Sequence, residues 1–286
     1  MARVCDLRFC TASAVLAAVA LSVSCLRTSS RPRTIPFCGA DPCAGHPPGL
    51  LTSYPKALAA VLWVMQNRLG LPLLSGSLDL YPSRATLAVA LERRGCTRSL
   101  ARAIANRLDG VAEPGHILAN DSVLRWKQWP ARVVFLAHEM THVAEYALAN
   151  GRGCSSAQWL CEGFAEWASW RVVDELELSS YGARRHAALV HMREACDRHT
   201  FPACWQLIPE NTWTRGDERP TNDPKYDQAL VATEFLVEVH GLPAVLEYFR
   251  LFARSDDALA NFRAAFGEDA QRFEAAFQFR LNRLLK

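Results

Sequence analysis

Along the chain, apolar positions recur with the period of a helix more often than with that of a strand. Between Tyr54 and Leu69, the residues Leu58, Val61, Leu62, Met65 and Leu69 fall three or four apart and so share one helical face. Ala85–Arg94 and Ser99–Leu108 predict two further helices, parted by Gly95. Pro130 suits a first helical turn, and Ala131 to Ala149 predicts one long helix ended by Asn150 and Gly151. Gln158–Glu177 predicts a second long helix. Four more are expected near 225–239, 243–253, 255–265 and 269–284, with Gly241 and Gly267 as breaks. Phe262 and Phe266, then Phe273 and Phe277, stand four apart within each pair and read as core. Strand signals are few: Leu78–Tyr81, closed by Pro82, and a short extended segment at Gly115–Ala119. Residues 208–224, with Pro209, Pro220 and Pro224, predict a polar loop. The pattern is that of an α+β chain, mostly helical, with a little sheet in its first half.

The N-terminus follows a different rule. Arg3 and Arg8 precede an uncharged stretch from Phe9 to Leu26 that stops at Arg27. A basic start, a short apolar run and small residues at its end (Ser22 and Ser24, before Cys25) describe a secretory signal peptide. The alternatives are an uncleaved membrane anchor or lipidation at Cys25, the latter a poor fit because Ser22 stands where such signals usually have Leu. Residues 1–26 are therefore expected to direct export, leaving the protein secreted, periplasmic or attached to the envelope. Residues 27–49, rich in Pro, Gly, Ser and Arg, read as an irregular linker, and residues 50–286 as the folded domain.

Charge narrows the partners. The net charge of +3 sits at the front: residues 1–33 carry five Arg against one Asp, and the rest is near neutral. Without a concentrated basic footprint, nucleic acid is not an expected partner. Past the leader remain seven cysteines: Cys38, Cys43, Cys96, Cys154, Cys161, Cys196 and Cys204. Their spacing lacks the CxxC pattern of zinc clusters, and in an exported chain structural disulfides are expected.

The chemistry lies in the long helix at 131–149, which contains His138-Glu139-Met140-Thr141-His142. Two histidines four apart share a helix face and can point at one metal ion, with Glu139 beside it to polarise water. On the next helix stands Trp159-Leu-Cys-Glu-Gly-Phe-Ala-Glu-Trp167. Antiparallel packing of the two helices would bring Glu162 opposite the histidines. Two His and one carboxylate, with a fourth position left open, form a catalytic zinc arrangement. Glu166, one turn on, is placed to accept the free ring N–H of a ligand histidine. Trp167 and Trp170 read first as packing residues, and secondarily as cleft-lining ones. His186, His191 and His199, in an Arg-rich stretch with no ligand register, read as solvated or capping groups, and His240 as a helix C-terminal cation.

HExxH followed about twenty residues later by WLxEGxAE resembles the gluzincin metallopeptidases, in particular the peptidase MA-like domains of exported bacterial proteins. The resemblance implies a zincin-like fold with a small N-terminal sheet and a helical C-terminal half. It also implies bound Zn²⁺, with Glu162 as third ligand. It further implies that Gly115–Ala119 is the edge strand that pairs with substrate backbone, and that Tyr226, in Tyr226-Asp-Gln-Ala, is the family's oxyanion tyrosine. The GxMEN segment of the aminopeptidase branch has no counterpart between Val111 and Arg132.

These readings converge on an exported zinc endopeptidase acting on a peptide or protein, with His138, His142 and Glu162 as ligands, Glu139 as general base and Tyr226 as oxyanion donor. Two other functions share the scaffold. One is an inactive module that binds a protein partner, against which the intact Glu139 argues; the other is a zinc hydrolase of a non-peptide amide.

Overall fold

The computed structural model describes residues 31–39, 51–152, 157–197 and 224–285. The expected leader and the loop at 208–223 lie outside the described residues, as do Cys43, Cys154, His199 and Cys204. A small mixed sheet is followed by a largely helical body, as expected of a zincin-like α+β fold.

The sheet has four strands in the order β1-β2-β4-β3, formed by β1 (Arg33–Cys38), β2 (Ser75–Tyr81), β3 (Gly110–Glu113) and β4 (His116–Asn120). β1 runs antiparallel to β2, β2 parallel to β4, and β3 antiparallel to β4. Two expectations change here. The stretch read as an irregular linker contributes β1; its Pro36 is tolerated because β1 is an outer strand. Gly115–Ala119 does form a strand, but an interior one. β3 folds back on β4 through a tight turn at Gly115, whose φ of 73° suits glycine, and β3 takes the edge. With only four residues, β3 offers too short an alternation to be read in the sequence. Cys38 on β1 is exposed and forms no disulfide.

Alternation along the strands divides the core. Leu78, Leu80, Ala112, Ile117 and Ala119 face the larger cluster, which includes α1 (Tyr54–Asn67) and α5 (Trp129–Leu148). Tyr81, Val111 and Leu118 face the other way, onto α2 (Arg84–Arg93) and α3 (Arg98–Arg107). A single turn, α4 (Asp121–Leu124), leads from β4 towards α5. The rest of the body is α6 (Gln158–Glu175), α7 (Tyr181–Asp197), α8 (Pro224–His240), α9 (Leu242–Leu251), α10 (Ala258–Phe266) and α11 (Ala270–Leu284). The helices expected at both long segments and in the C-terminal half are present within a few residues. α7 was not anticipated, because its apolar positions are broken up by Arg and His.

Two contacts fix α6 at the centre. Trp159 is fully buried and stacks on Phe273 of α11, with ring centroids 5.7 Å apart. One turn further along, Gly163 lets α8 come close: a Cβ there would lie 2.3 Å from the carbonyl oxygen of Ala229 and 2.4 Å from Oγ1 of Thr233. The glycine after Glu162 is thus a packing requirement, and it sets how near α8 stands to the carboxylate. Phe262, Phe266, Phe273 and Phe277 are all buried, as their spacing implies. Among the described residues, no single helix is long and apolar enough to cross a membrane.

Candidate metal centre

α5 is held rigidly by its apolar flank: Val133, Leu136, Ala137 and Met140 are fully buried. One turn separates His138 from His142, and their Nε2 atoms converge to 3.2 Å. From α6, Oε2 of Glu162 lies 3.4 Å from Nε2 of His138 and 3.7 Å from Nε2 of His142. An ion about 2.0–2.2 Å from each ligand atom at tetrahedral angles would hold those atoms about 3.4 Å apart. The three donors, two imidazoles and a carboxylate, therefore fit a divalent metal in both chemistry and spacing. The cluster matches an HExxH…E gluzincin-like metal site, as the sequence motif implied.

The groups behind the ligands settle which atoms face the metal. Nδ1 of His142 lies 2.9 Å from Oε2 of Glu145, and Nδ1 of His138 lies 3.4 Å from Oε1 of Glu166. Carboxylates at both Nδ1 atoms favour the proton there and leave the Nε2 lone pairs for coordination. Glu162 is steadied through its second oxygen, since Nε2 of Gln158 donates to Oε1 at 2.8 Å. Glu166 was expected beside a ligand histidine and is there. Glu145 and Gln158 were not foreseen, although both stand at helical spacing from a ligand: Glu145 three after His142, Gln158 four before Glu162.

Electrostatics follow from burial opposed by pairing. Burial alone would lower the pKa of His138, but hydrogen bonds to Glu162 and Glu166 outweigh it and raise it to about 9. His142 is also raised well above the usual imidazole range; burial opposes the rise, and Glu145 and Glu162 drive it. Burial works against ionising Glu162, yet its bonds to both histidines hold its carboxyl well below the ordinary carboxylate range. In the metal-free centre, protons on the imidazoles thus balance the carboxylates, and a metal ion would displace them.

Glu139 is different. Both its oxygens are buried without a hydrogen-bond partner among the described residues, and burial pushes its pKa up. An unsatisfied buried carboxyl is costly, and this one stands next in the chain to His138 and within electrostatic reach of His138, His142 and Glu162.

A cleft of about 920 Å³ reaches the centre at His138. Ala131, Val134 and Phe135 of α5 line it, with Glu166 and Trp170 of α6 and Tyr226 of α8. Tyr226, predicted from motif context alone, thus faces the same cleft as a metal ligand. The two tryptophans divide: Trp167 is buried against Phe164, whereas Trp170 lines the cleft and donates from Nε1 to Glu166 at 3.2 Å. Arg184 of α7 ties the wall together, 3.6 Å from Oε2 of Glu166 and 2.7 Å from Oδ1 of Asp227. His191 sits 3.0 Å from the other oxygen of Asp227 and keeps its side chain 39 % exposed, so it is both partly solvated and an ion-pair partner. His240 closes α8 and pairs with Glu268 at 2.8 Å. The carboxylate of the edge strand, Glu113, shares the face of Val111 and is bound by Arg94 at 2.9 Å, on the side of the sheet away from α5. It is not presented to the metal centre.

Compared with models of known protein families, with curated proteins and with solved structures, the chain matches none. The functional reading therefore rests on the site itself, a three-ligand centre of the kind that serves metal-dependent hydrolysis.

If Glu145 orients His142, Glu145→Gln should weaken metal affinity by about 10–100-fold while far-UV circular dichroism stays unchanged. Competition with a chromophoric chelator measures this. Parental affinity in the variant would assign Glu145 to packing alone.

Proposed function

We propose that the protein is an exported zinc-dependent endopeptidase. The observation that carries this reading is the convergence of His138, His142 and Glu162 beside a buried Glu139 that has no hydrogen-bond partner among the described residues. Zinc is favoured because a His₂Glu set of this spacing suits tetrahedral coordination with one position left for substrate. Bound there, the ion supplies the Lewis acidity that makes water a nucleophile near neutral pH. Glu139 takes the proton of the attacking water and delivers it to the leaving amine. Tyr226 donates its hydroxyl to the oxygen that gains charge in the transition state. β3, the edge strand that begins next to the cleft-lining Asp109, offers backbone groups to an extended peptide. The absence of a GxMEN counterpart between Val111 and Arg132 supports internal cleavage over removal of N-terminal residues. Export rests on the Arg-flanked apolar leader at residues 1–26, which also permits membrane attachment.

Glu139→Gln should abolish peptide hydrolysis yet retain bound zinc, assayed by library digestion beside metal analysis; substantial residual turnover would remove Glu139 as the base. Tyr226→Phe should lower kcat by roughly 100-fold with little change in KM, because the contact forms mainly in the transition state. An unaltered kcat would exclude Tyr226 from the chemistry.

A further inference from the structure

The charges lining the cleft bear on which peptides it accepts. Its floor is one face of α5, from Ala131 to His138. Seven residues of helix span about 10 Å, the length of about three residues of extended peptide. Every carboxylate on the described lining is already matched. Glu166 meets His138 and Arg184, Asp227 meets Arg184 and His191, and Asp109 is paired with Lys127, which stands just before the start of α5.

The cations are not all matched. Arg107, the last residue of α3, is exposed and lines the cleft two residues from Asp109, with no ion pair or hydrogen bond to any described residue. Across the cleft on α7, His186 also lacks a carboxylate partner among the described residues. The described lining therefore carries fixed positive charge near the Asp109–Lys127 pair, at the N-terminal end of α5, and, among the described residues, no free negative charge to offset it. Between that end and His138 the floor is apolar: Ala131, Val134 and Phe135.

Resting on the peptidase reading above, we propose that Arg107 is a specificity-determining residue. It receives a carboxylate of the peptide bound in the cleft, while apolar side chains lie along the floor formed by Ala131, Val134 and Phe135. That carboxylate belongs either to an Asp or Glu side chain or to the terminal α-carboxyl of a short peptide. Because Arg107 is exposed, the pairing is modest and sensitive to salt.

The test uses the full chain loaded with zinc, and peptides matched in pairs: Asp or Glu against Asn or Gln at each position around the cut, and free against amidated C-termini. The acid-to-amide ratio of kcat/KM should reach about fivefold at one position and fall towards unity at about 1 M salt. Preference at an internal position identifies the side chain as the source, and preference for the free over the amidated end identifies the terminus. Arg107→Gln should bring the ratio to unity, Arg107→Lys should restore part of it, and Arg107→Glu should favour Lys-containing peptides. No acid preference in the parent, or one that survives Arg107→Gln, overturns the proposal. Binding of the same labelled peptides to zinc-loaded Glu139→Gln separates this claim from the peptidase reading. Arg107-dependent tighter binding of acidic peptides, with no cleavage by the parent, would sink the peptidase reading and leave Arg107 as the recognition residue. Equal binding of acidic and neutral peptides would overturn the role of Arg107 whatever the parent cleaves.

Discussion

Two imidazoles on one helix can face the same point only if something holds each ring from behind, and in this protein carboxylates do so. Glu145, from α5 itself, faces Nδ1 of His142, and Glu166, from α6, faces Nδ1 of His138. With both Nδ1 atoms engaged, the Nε2 atoms lie 3.4 and 3.7 Å from Oε2 of Glu162 and 3.2 Å from each other. Without these two buttresses the rings could rotate, and the motif would be only two histidines on a buried helix.

The rest of the fold keeps that arrangement in place. α5 is clamped between the sheet and α6, and α6 is fixed by Trp159 against α11 and by the close approach of α8 at Gly163. The same approach places Asp227 and Tyr226 on the cleft wall, where Arg184 links Asp227 to Glu166. Glu166, which buttresses a candidate ligand, and Asp227, on the cleft wall next in the chain to Tyr226, are therefore joined through Arg184. Displacement of α8 would be felt at His138 through two side chains.

Much of this was legible in the sequence, for identifiable reasons. The long helices announced themselves by apolar spacing and by Pro130, Gly241 and Gly267, and the ligands by a motif whose spacing is itself a statement about helix geometry. Glu162 and Glu166 could be placed because the next helix had to pack antiparallel on the first. What escaped were features set by tertiary pairing. β3 is too short to show an alternation, so β4 was mistaken for the edge. β1 hides in a Pro-rich stretch and exists because β2 offers it a partner. α7 has no clean apolar stripe. Arg184 and Asp227 lie 43 positions apart, and no local pattern predicts that they meet. Glu145, by contrast, was within reach, since an acid three residues after a candidate ligand on the same helix is a natural partner for its ring.

The central claim is that His138, His142 and Glu162 hold one metal ion. Its most direct measurement is the zinc content of the purified protein beside His142→Ala and Glu162→Ala variants, with circular dichroism as the check on folding. The account predicts about one zinc per chain in the parent, retained through dialysis, and little in either folded variant. A parent that stays metal-free after zinc loading, or variants that bind zinc as the parent does, would contradict it.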